Sequence, residues 1–337
     1  MVSDLKDKTK ILIVGLGVVS ILEAVYQKVL GNEVYIISSA YNFGGSWGPV
    51  YLKEHNIKTD LGVHYIEEQP DTEYMMNLIL GKTIRLREKY TINFENLDNL
   101  VFEPNFKNNL YLVGGAIYLE KRLKDLIRNF KIRIINAKVE KVVRKNQFYD
   151  VFLKNNDEKQ KIISCEKFIF TSGTKDINFF NENNLIKLPN NKSGVRIRSH
   201  MYFYIKNNNS NKFDQYICKN HSYIKYIHNI SKDSQGNNKK FQFIVASLIN
   251  NMEPTSFNKE KVRESLEELG FSNKNNIEHL HSIRTVLAEY GDNVNNVIKD
   301  NMGNNLEFIK TEDLGKSLGV YCKKYQNIFK KNNILLP

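Results

Sequence analysis

The amino-acid sequence predicts an α/β protein in which a Rossmann-like domain is interleaved with an α+β domain that contains an antiparallel sheet. Three observations lead to this prediction. An apolar strand, a glycine turn and a helical pattern open the chain at 11–30. A second amphipathic helix and several strands follow between 115 and 171. Aromatic, β-branched segments separated by polar turns begin near His200, and such segments are typical of antiparallel sheets.

The first element is a short strand that ends at a tight turn. Residues 11–14 are all apolar and lie between a lysine and a glycine, which predicts a buried parallel strand. Apolar residues recur at helical spacing over 18–30, and the Gly31-Asn32 pair supplies a helix stop. A second apolar strand follows at 34–37. This order predicts a βαβ unit.

The turn between the first strand and the helix has the spacing Gly15-x-Gly17-x-x-Ser20. In a dinucleotide-binding turn the first glycine permits the sharp bend, and the second lets backbone N–H groups approach a pyrophosphate at the positive end of the helix dipole. Gly15 and Gly17 suit these two roles, and Ser20 is small enough for the third position, where helix and strand pack closely. The context favours nucleotide binding over a buried βαβ unit without a ligand.

The second strand leads into Ser38-Ser39, where dinucleotide-binding domains commonly carry an acidic residue for the adenosine ribose. A serine hydroxyl still bonds to a ribose hydroxyl, but it is neutral and shorter. Two consequences stay open at this point. One is weak cofactor binding, and the other is tolerance of an adenosine 2'-phosphate, although no arginine lies beside Ser38 to favour it.

Two further motifs follow the second strand. They read Phe43-Gly44-Gly45-Ser46-Trp47-Gly48 and Thr59-Asp60-Leu61-Gly62-Val63-His64-Tyr65. With the glycine turn, their order resembles FAD-binding proteins of the flavin amine oxidase and protoporphyrinogen oxidase-like superfamily, which includes UDP-galactopyranose mutase. The resemblance implies FAD as the cofactor. It places Gly44 and Gly45 against the FAD phosphates, with Ser46 and Trp47 in the same binding segment, and Gly62, Val63 and His64 along the isoalloxazine ring.

The segment from 115 to 173 is predicted to return the chain to the first domain. A helix with an apolar face at 117–127 precedes strands at 132–137, 139–143, 148–153 and 161–171. The superfamily has the same order of elements. The resemblance implies that Val139 touches the adenine, that Thr171, Ser172 and Gly173 close over the dinucleotide, and, from a fainter match at 315–321, that Gly319 lies near the flavin. The hydrophobic strand ending in Gly-Asp that relatives carry is not found.

The remaining segments predict a second domain. Short strands are expected at 84–86 and 100–102, and a short helix at 73–80. Segments at 201–205, 216–218, 223–227 and 241–246 predict the antiparallel sheet, and a helix is expected at 258–269. We therefore assign 1–80, 108–180 and about 300–337 to a discontinuous FAD- or dinucleotide-binding domain. Residues 81–107 and 181–299 are assigned to a substrate-binding domain.

Composition limits the class of protein and its partners. The chain has 337 residues, 41% of them hydrophobic, and no apolar run approaches the ~20 residues that span a bilayer. The formal charge of +12 is scattered among asparagines, so no nucleic-acid partner is predicted. Cys165, Cys218 and Cys322 lie far apart and are expected to be reduced thiols, with no metal site. The expected location is cytoplasmic, and the sequence carries no signal of an oligomeric state.

Two aromatic side chains are candidates for contact with the flavin, each with a structural alternative. His64 matches the histidine that lies beside the ring in the resembling mutases, where it would tune the flavin or exchange protons. It is equally predicted as an ordinary hydrogen-bonded residue. Trp47, the only tryptophan, either stacks near the flavin or substrate entrance or fills the core.

Four side chains are candidates for the substrate. Arg196 and Arg198 fall on one side of an extended segment, where they would clamp a carboxylate or diphosphate. Arg198 is also a candidate catalytic residue. The alternative for the pair is an edge strand that carries two solvated charges. Tyr202 and Tyr204 would line a sugar or aromatic pocket, or they pack within the sheet.

Three functions follow from these features. The first is an FAD-dependent oxidoreductase that acts on a small, anionic or sugar-nucleotide substrate by hydride transfer to flavin N5. The second is a redox-neutral mutase like UDP-galactopyranose mutase, for which His64, Arg196 and Arg198 are the relevant residues. The third is a non-catalytic nucleotide-binding protein, which Ser38, Ser46 and the missing Gly-Asp would suit. No hydrolytic triad order, zinc motif or paired carboxylates are found, whereas a flavin supplies the chemistry itself.

Overall fold

The chain divides into two compact units in the computed structural model, which describes residues 9–39, 43–60, 65–67, 83–85, 89–94, 101–104, 109–112, 114–155, 160–171, 177–187, 195–206, 213–231, 234, 241–288 and 292–309. The first unit comprises Met1–Gly45, Lys121–Gly194 and Ala288–Ser317. The second unit comprises Ser46–Glu120, Val195–Leu287 and Leu318–Pro337. Both units are therefore assembled from separate stretches of the chain.

The described residues contain four α-helices and 22 strands. The helices are α1 (Val18–Val29), α2 (Gly115–Asn129), α3 (Ser256–Glu268) and α4 (Asp292–Met302). The strands are β1 (Lys10–Val14), β2 (Glu33–Ser38), β3 (Pro49–Leu52), β4 (Ile57–Asp60), β5 (Tyr65–Glu67), β6 (Thr83–Arg85), β7 (Lys89–Asn93), β8 (Val101–Pro104), β9 (Asn109–Leu112), β10 (Arg133–Asn136), β11 (Lys138–Lys145), β12 (Phe148–Lys154), β13 (Gln160–Cys165), β14 (Lys167–Phe170), β15 (Asn178–Asn181), β16 (Asn184–Leu185), β17 (Val195–Lys206), β18 (Gln215–Lys219), β19 (Ile224–Asn229), β20 (Phe241–Leu248), β21 (Ile277–Ala288) and β22 (Leu306–Phe308).

The first unit is built on a five-stranded parallel sheet in the order β10-β2-β1-β14-β22. β1 is central, and its Ile11 lies beside Val34 of β2 and Lys167 of β14. Along the chain the strands run outward from β1 to β2 and β10, and then continue on the other side of β1. Ligands of open parallel sheets bind at the carboxyl ends of the strands where the order reverses, and here that point lies beside the end of β1.

A second sheet, in the order β13-β12-β11-β15-β16, covers one face of this parallel sheet. The core between the two sheets includes Leu12, Ile37, Val151, Phe168 and Phe179, each with at most 1% of its surface exposed. This core buries the alternate residues of the parallel strands. It supplies the hydrophobic stabilisation that holds the strand ends of the first unit in place.

The sequence predicted one strand over 161–171, and this prediction is wrong. The segment forms two strands in different sheets, β13 and β14, with a bend at Glu166. The backbone N–H of Glu166 donates to the carbonyl of Lys10 at 3.0 Å, so the bend is held against the start of β1. Ile162-Ile163 and Phe168-Ile169-Phe170 are two separate apolar runs, and the polar residues between them include Glu166 at the bend.

The second unit is built on a seven-stranded sheet in the order β21-β17-β20-β19-β18-β7-β8. One face packs against α3 through Phe203, Ile244 and Leu266. The other face carries Tyr202 and Phe243, which pack against Leu52 and Ile57 of the β3–β4 hairpin. Thr255 begins α3, because its hydroxyl accepts a hydrogen bond from the Asn258 N–H at 3.1 Å.

The predicted fold class is confirmed, and so are the opening strand, helix and strand, the helix after Gly114, and the antiparallel sheet after His200. The predicted helix at 73–80 lies outside the described residues. The elements that were not predicted include β3, β4, β15, β16, β21, α4 and β22. β22 has only three residues, and its place in the parallel sheet comes from pairing with β14.

The division into units differs from the predicted domain boundaries. Residues 46–80, 108–120 and 318–337 belong to the second unit, and 181–194 and 288–299 to the first. The reason for the first difference lies in the β3–β4 hairpin, whose Leu52 and Ile57 are buried against the seven-stranded sheet. The prediction assigned 46–80 to the domain of the nucleotide-binding turn, whereas the apolar face of this hairpin packs against the seven-stranded sheet.

Candidate functional site

The turn after β1 has the backbone conformation that its first glycine predicted. Gly15 adopts a φ of +112°, a region that side-chain-bearing residues rarely occupy. Its N–H donates to the carbonyl of Ile37 at 2.9 Å, which ties the end of β1 to the end of β2. The chain then enters α1 at Gly17. The turn is therefore fixed at the carboxyl edge of the parallel sheet.

The second glycine pair lies directly against this turn. Gly44 forms a parallel bridge with Gly17, and its N–H donates to the carbonyl of Leu16 at 3.0 Å. Gly45 has a φ of +59°, and a Cβ placed there would lie 3.2 Å from the Cα of Gly17. Backbone is therefore packed against backbone, and a side chain at position 45 would separate the two segments. We call Gly15, Gly17, Gly44 and Gly45 the glycine cradle.

The amino terminus of α1 opens at the glycine cradle without a side-chain cap. Gly17 is the N-cap residue, and the first turn contains no acidic residue. The backbone N–H groups of Val18, Val19 and Ser20 have no acceptor within the helix by its geometry. Together with the helix dipole they form a positive end that the residues of the first turn do not neutralise, which suits an anion.

Glycine at position 17 is not required by its backbone conformation or by packing against the described residues. Its φ of −73° and ψ of 172° are open to any residue. An added Cβ would meet only Ser20 Oγ at 3.9 Å and the Gly44 carbonyl oxygen at 4.0 Å, which are ordinary contacts. Among the described residues, the missing side chain therefore leaves space in front of the helix terminus.

Ser20 and Thr171 are hydrogen-bonded to each other across the reversal of strand order. The hydroxyl of Thr171 donates to the carbonyl of Val14 at 2.8 Å, so the Ser20 hydroxyl donates to Thr171 Oγ1. Ser20 is 1% exposed. The two side chains join α1 to the end of β14. Ser20 thus has the packing role predicted for the third position of the motif.

A polar pair lies at the ends of β2 and β10. Ser38 and Asn136 are the last residues of these strands and are direct neighbours in register, and Ser39 is exposed. The amide oxygen of Asn136 is buried and has no hydrogen-bond partner. A buried acceptor without a partner costs about 1–3 kcal/mol. Asn136 was not predicted as a site residue from the sequence. The pattern that could have indicated it is a polar residue at the end of an apolar parallel strand.

Val139 lies just beyond this pair, at the beginning of β11. Its side chain is 3% exposed and belongs to the core between the two sheets of the first unit. Leu153 of β12 is its neighbour in register. Only its backbone is therefore available to the predicted adenine contact.

The predicted residues that fall in the second unit form no such cradle among the described residues. Ser46 is exposed, and Trp47 is 7% exposed in a short 3-10 helix at Gly45–Trp47. Tyr202 is wholly buried, and its hydroxyl donates to the carbonyl of Asp60 at 2.8 Å. Tyr202 is thus a core residue in this structure. Tyr204 is partly buried beside Phe243, with ring centroids 5.3 Å apart.

Asp60, from the second sequence motif, has a structural role. Its side chain is 2% exposed, and Oδ1 accepts a hydrogen bond from the Ala116 N–H at 2.7 Å. Ala116 lies in the first turn of α2, so the carboxylate caps that helix. The motif therefore connects β4 to the beginning of α2 within the second unit.

Arg198 is exposed on β17, next to a histidine that stays neutral. Burial, with a smaller contribution from the positive charge of Arg198, lowers the pKa of His200 to about 4. The Nδ1 atom of His200 lies 2.9 Å from Ser247 Oγ. His200 is therefore uncharged at neutral pH and leaves Arg198 as the positive group of this pair.

Several predicted site residues lie outside the described residues, namely Gly62, Val63, His64, Ser172, Gly173 and Gly319, as does the side chain of Arg196. Their roles stay predictions.

Within the described ranges, no group of three or more His, Cys, Asp or Glu side chains is placed to hold a metal ion. None of the described helices has the length and apolar character needed to cross a membrane. Burial raises the pKa of the Cys165 and Cys218 thiols to about 12.

Comparisons with known proteins identify the fold. No protein-family model matches the sequence. No curated protein matches it either. Among solved structures, the PF1083 protein from Pyrococcus furiosus has a TM-score of 0.64 at 11% identity, with 95% of this chain and 97% of that chain covered. Putrescine oxidase bound to putrescine has a TM-score of 0.65 at 10% identity, with coverage of 96% and 99%.

A candidate protoporphyrinogen oxidase from Exiguobacterium sp. 255-15 has a TM-score of 0.64 at 9% identity, with 96% of this chain and 99% of that chain covered. Its likeness and that of putrescine oxidase confirm the resemblance in fold that the motifs predicted. The likenesses extend over nearly the full length of each chain.

Proposed function

We propose that this protein is an FAD-dependent oxidoreductase. The observation that carries the proposal is the glycine cradle at the uncapped amino terminus of α1. Gly17 lacks a side chain where its conformation would allow one, and the space so left is lined by helix N–H groups. A diphosphate with an adenosine on one side fits this arrangement, because Ser38 and Asn136 end the two neighbouring strands.

FAD suits the cradle better than a nicotinamide dinucleotide for two reasons. A second glycine pair, Gly44 and Gly45, lies against the turn, which is the feature that gave the sequence its resemblance to FAD-binding proteins. The fold is also that of putrescine oxidase and of a candidate protoporphyrinogen oxidase. Bound FAD would supply two-electron chemistry by accepting a hydride at N5.

The residues of the first unit would bind and orient the cofactor. The N–H groups of Val18 and Val19 would donate to the diphosphate, and Gly17 would let it approach. Gly15 and the Ser20–Thr171 hydrogen bond would keep α1 in register with the sheet. The polar residues at the ends of β2 and β10 would bind the adenosine half of the cofactor.

The substrate is proposed to be a small anionic molecule or a sugar nucleotide. Arg198 is exposed on β17, and the formal charge of the chain is +12. An arginine pair at 196 and 198 would bind a carboxylate or phosphate through charge-assisted hydrogen bonds. His64 is proposed as the residue beside the flavin ring. These assignments rest on the sequence resemblance.

The cofactor is tested by the absorbance spectrum of the purified protein and by calorimetric titration with FAD, NAD and NADP. We expect the purified protein to show visible flavin absorbance, or to bind added FAD in preference to both nicotinamide dinucleotides. Absence of FAD binding would refute the proposal.

Catalysis is tested on the flavin-loaded protein. Anaerobic bleaching of the flavin by amines or other small substrates, with recovery on exposure to oxygen, is expected of an oxidoreductase. Turnover of a UDP-sugar only after reduction with dithionite would instead identify the mutase. Binding of FAD without reduction by any substrate, and without sugar turnover, would leave the non-catalytic nucleotide-binding protein.

A further inference from the structure

The ends of β2 and β10 form a polar pair whose acceptor is left without a partner. Ser38 and Asn136 are neighbours in register, so their side chains leave the same face of the parallel sheet. Ala137 N–H donates to the Ser38 carbonyl at 3.2 Å, which holds the two strand ends together. The amide oxygen of Asn136 is nevertheless buried without a hydrogen bond.

The face that carries this pair is the one on which α1 packs. The alternate residues Ile37 and Ile135 contribute to the core on the opposite face, beneath the second sheet. α1 contacts β1 and β2 and contributes nothing to that core. Ser38, Asn136 and the amino terminus of α1 therefore share one face at one end of the sheet. A dinucleotide whose diphosphate lies at α1 has its adenosine half over these strand ends.

The recognition of the ribose in such domains usually falls to an acidic residue at the end of the second strand, and this chain has Ser38 there. We infer that Asn136 replaces that acid from the adjacent strand. Its amide oxygen accepts a hydrogen bond from a hydroxyl of the adenosine ribose, so that the group left without a partner in the protein is satisfied by the nucleotide. Asn136 is thus a specificity-determining residue for the adenosine half, and this assignment rests on the proposed function.

The test compares two variants with the wild-type protein. Asn136→Leu keeps the size of the side chain and removes the acceptor. Asn155→Leu is the matched control, because Asn155 also has a buried amide oxygen without a partner but follows β12 in the second sheet. Binding of FAD and of ADP is measured by calorimetry on flavin-free protein. Inorganic diphosphate, which lacks adenosine, is measured as a competitor of FAD.

We expect Asn136→Leu to weaken the binding of FAD and of ADP about tenfold, since a net hydrogen bond is lost. The inhibition constant of inorganic diphosphate should stay unchanged. Thermal unfolding of the flavin-free variant should occur at an unchanged or higher temperature, because a buried acceptor without a partner has been removed. Asn155→Leu should match this thermal behaviour and bind FAD and ADP like the wild type. Asn136→Asp, which keeps an acceptor oxygen, should retain the affinity for FAD.

Three outcomes would overturn the inference. Wild-type affinity of Asn136→Leu for FAD and ADP would show that the side chain does not bind the ribose, while the proposed function would stand. Equal losses for diphosphate, or in Asn155→Leu, would show a general structural effect. If the wild-type protein binds neither FAD nor ADP, the proposed function fails first and the inference fails with it.

Discussion

Replacing Gly17 with alanine is expected to lower the affinity for FAD and to leave the stability of the fold nearly unchanged. The N-cap of α1 has a φ of −73° and a ψ of 172°, which alanine adopts without strain. The new methyl group would lie 3.9 Å from Ser20 Oγ and 4.0 Å from the Gly44 carbonyl oxygen. It therefore displaces no atom of the described residues. It occupies only the space in front of the helix terminus.

The expected change in stability is small because two effects oppose each other. Loss of glycine reduces the entropy of the unfolded chain and stabilises the fold by about 0.4–1 kcal/mol. Alanine is a poorer N-cap than glycine, at a cost of about 0.5–1 kcal/mol. The free energy of unfolding of the flavin-free Gly17→Ala variant should thus stay within about 1 kcal/mol of the wild type.

The expected change in binding is large. A methyl group between the helix N–H groups and the diphosphate would break one hydrogen bond to a charged group, worth about 1.5–3 kcal/mol. This corresponds to a dissociation constant for FAD that is about 10- to 150-fold higher. Calorimetry with FAD measures the affinity, and urea unfolding of flavin-free protein measures the stability.

Two other glycines of the first unit supply the controls. Gly31, at the end of α1, has a φ of +88° with nothing within 4 Å of an added Cβ. Gly31→Ala should cost about 1–2 kcal/mol of stability through strain alone and leave the affinity for FAD unchanged. Gly45→Ala should lower both the stability and the affinity for FAD. The φ at position 45 is +59°, and an added Cβ would lie 3.2 Å from Gly17 Cα. Wild-type affinity in Gly17→Ala would refute the placement of the diphosphate.

Three further outcomes are expected. Asp60→Ala should lower the free energy of unfolding by about 2 kcal/mol, because the carboxylate caps α2. Asp60→Asn should lower it by less, and urea unfolding measures both changes. His200 has a folded pKa of about 4, below its ordinary value, so it stabilises the fold above about pH 6.5 and this contribution is lost as the pH falls toward 4. Between pH 7 and 4.5 the stability of His200→Asn should therefore fall by about 2 kcal/mol less than that of the wild type. Cys165 and Cys218 are buried and have thiol pKa values of about 12, so in the folded protein they should resist alkylation by iodoacetamide at pH 8 on the order of hours. Peptide mass mapping detects alkylation, and alkylation of either cysteine without urea would contradict this prediction.

Local sequence was sufficient for the opening βαβ unit. Strand β1, the turn at Gly15 and helix α1 all appear within one or two residues of their predicted bounds. Their signals are short-range, since a strand of apolar residues, a glycine with a positive φ and a helical period each depend on neighbours a few positions away. The antiparallel strands after His200 were predicted for the same reason.

The sequence by itself thus determined the class of fold, the glycine turn and the two kinds of sheet. Only the tertiary structure decided which residues meet. It brought Asn136 beside Ser38 from nearly 100 positions away, buried Tyr202 beneath the β3–β4 hairpin, and joined the three residues of β22 to the parallel sheet. Such contacts arise because pairing and burial between distant segments outweigh local preference, and no local pattern records which distant strand will supply the partner.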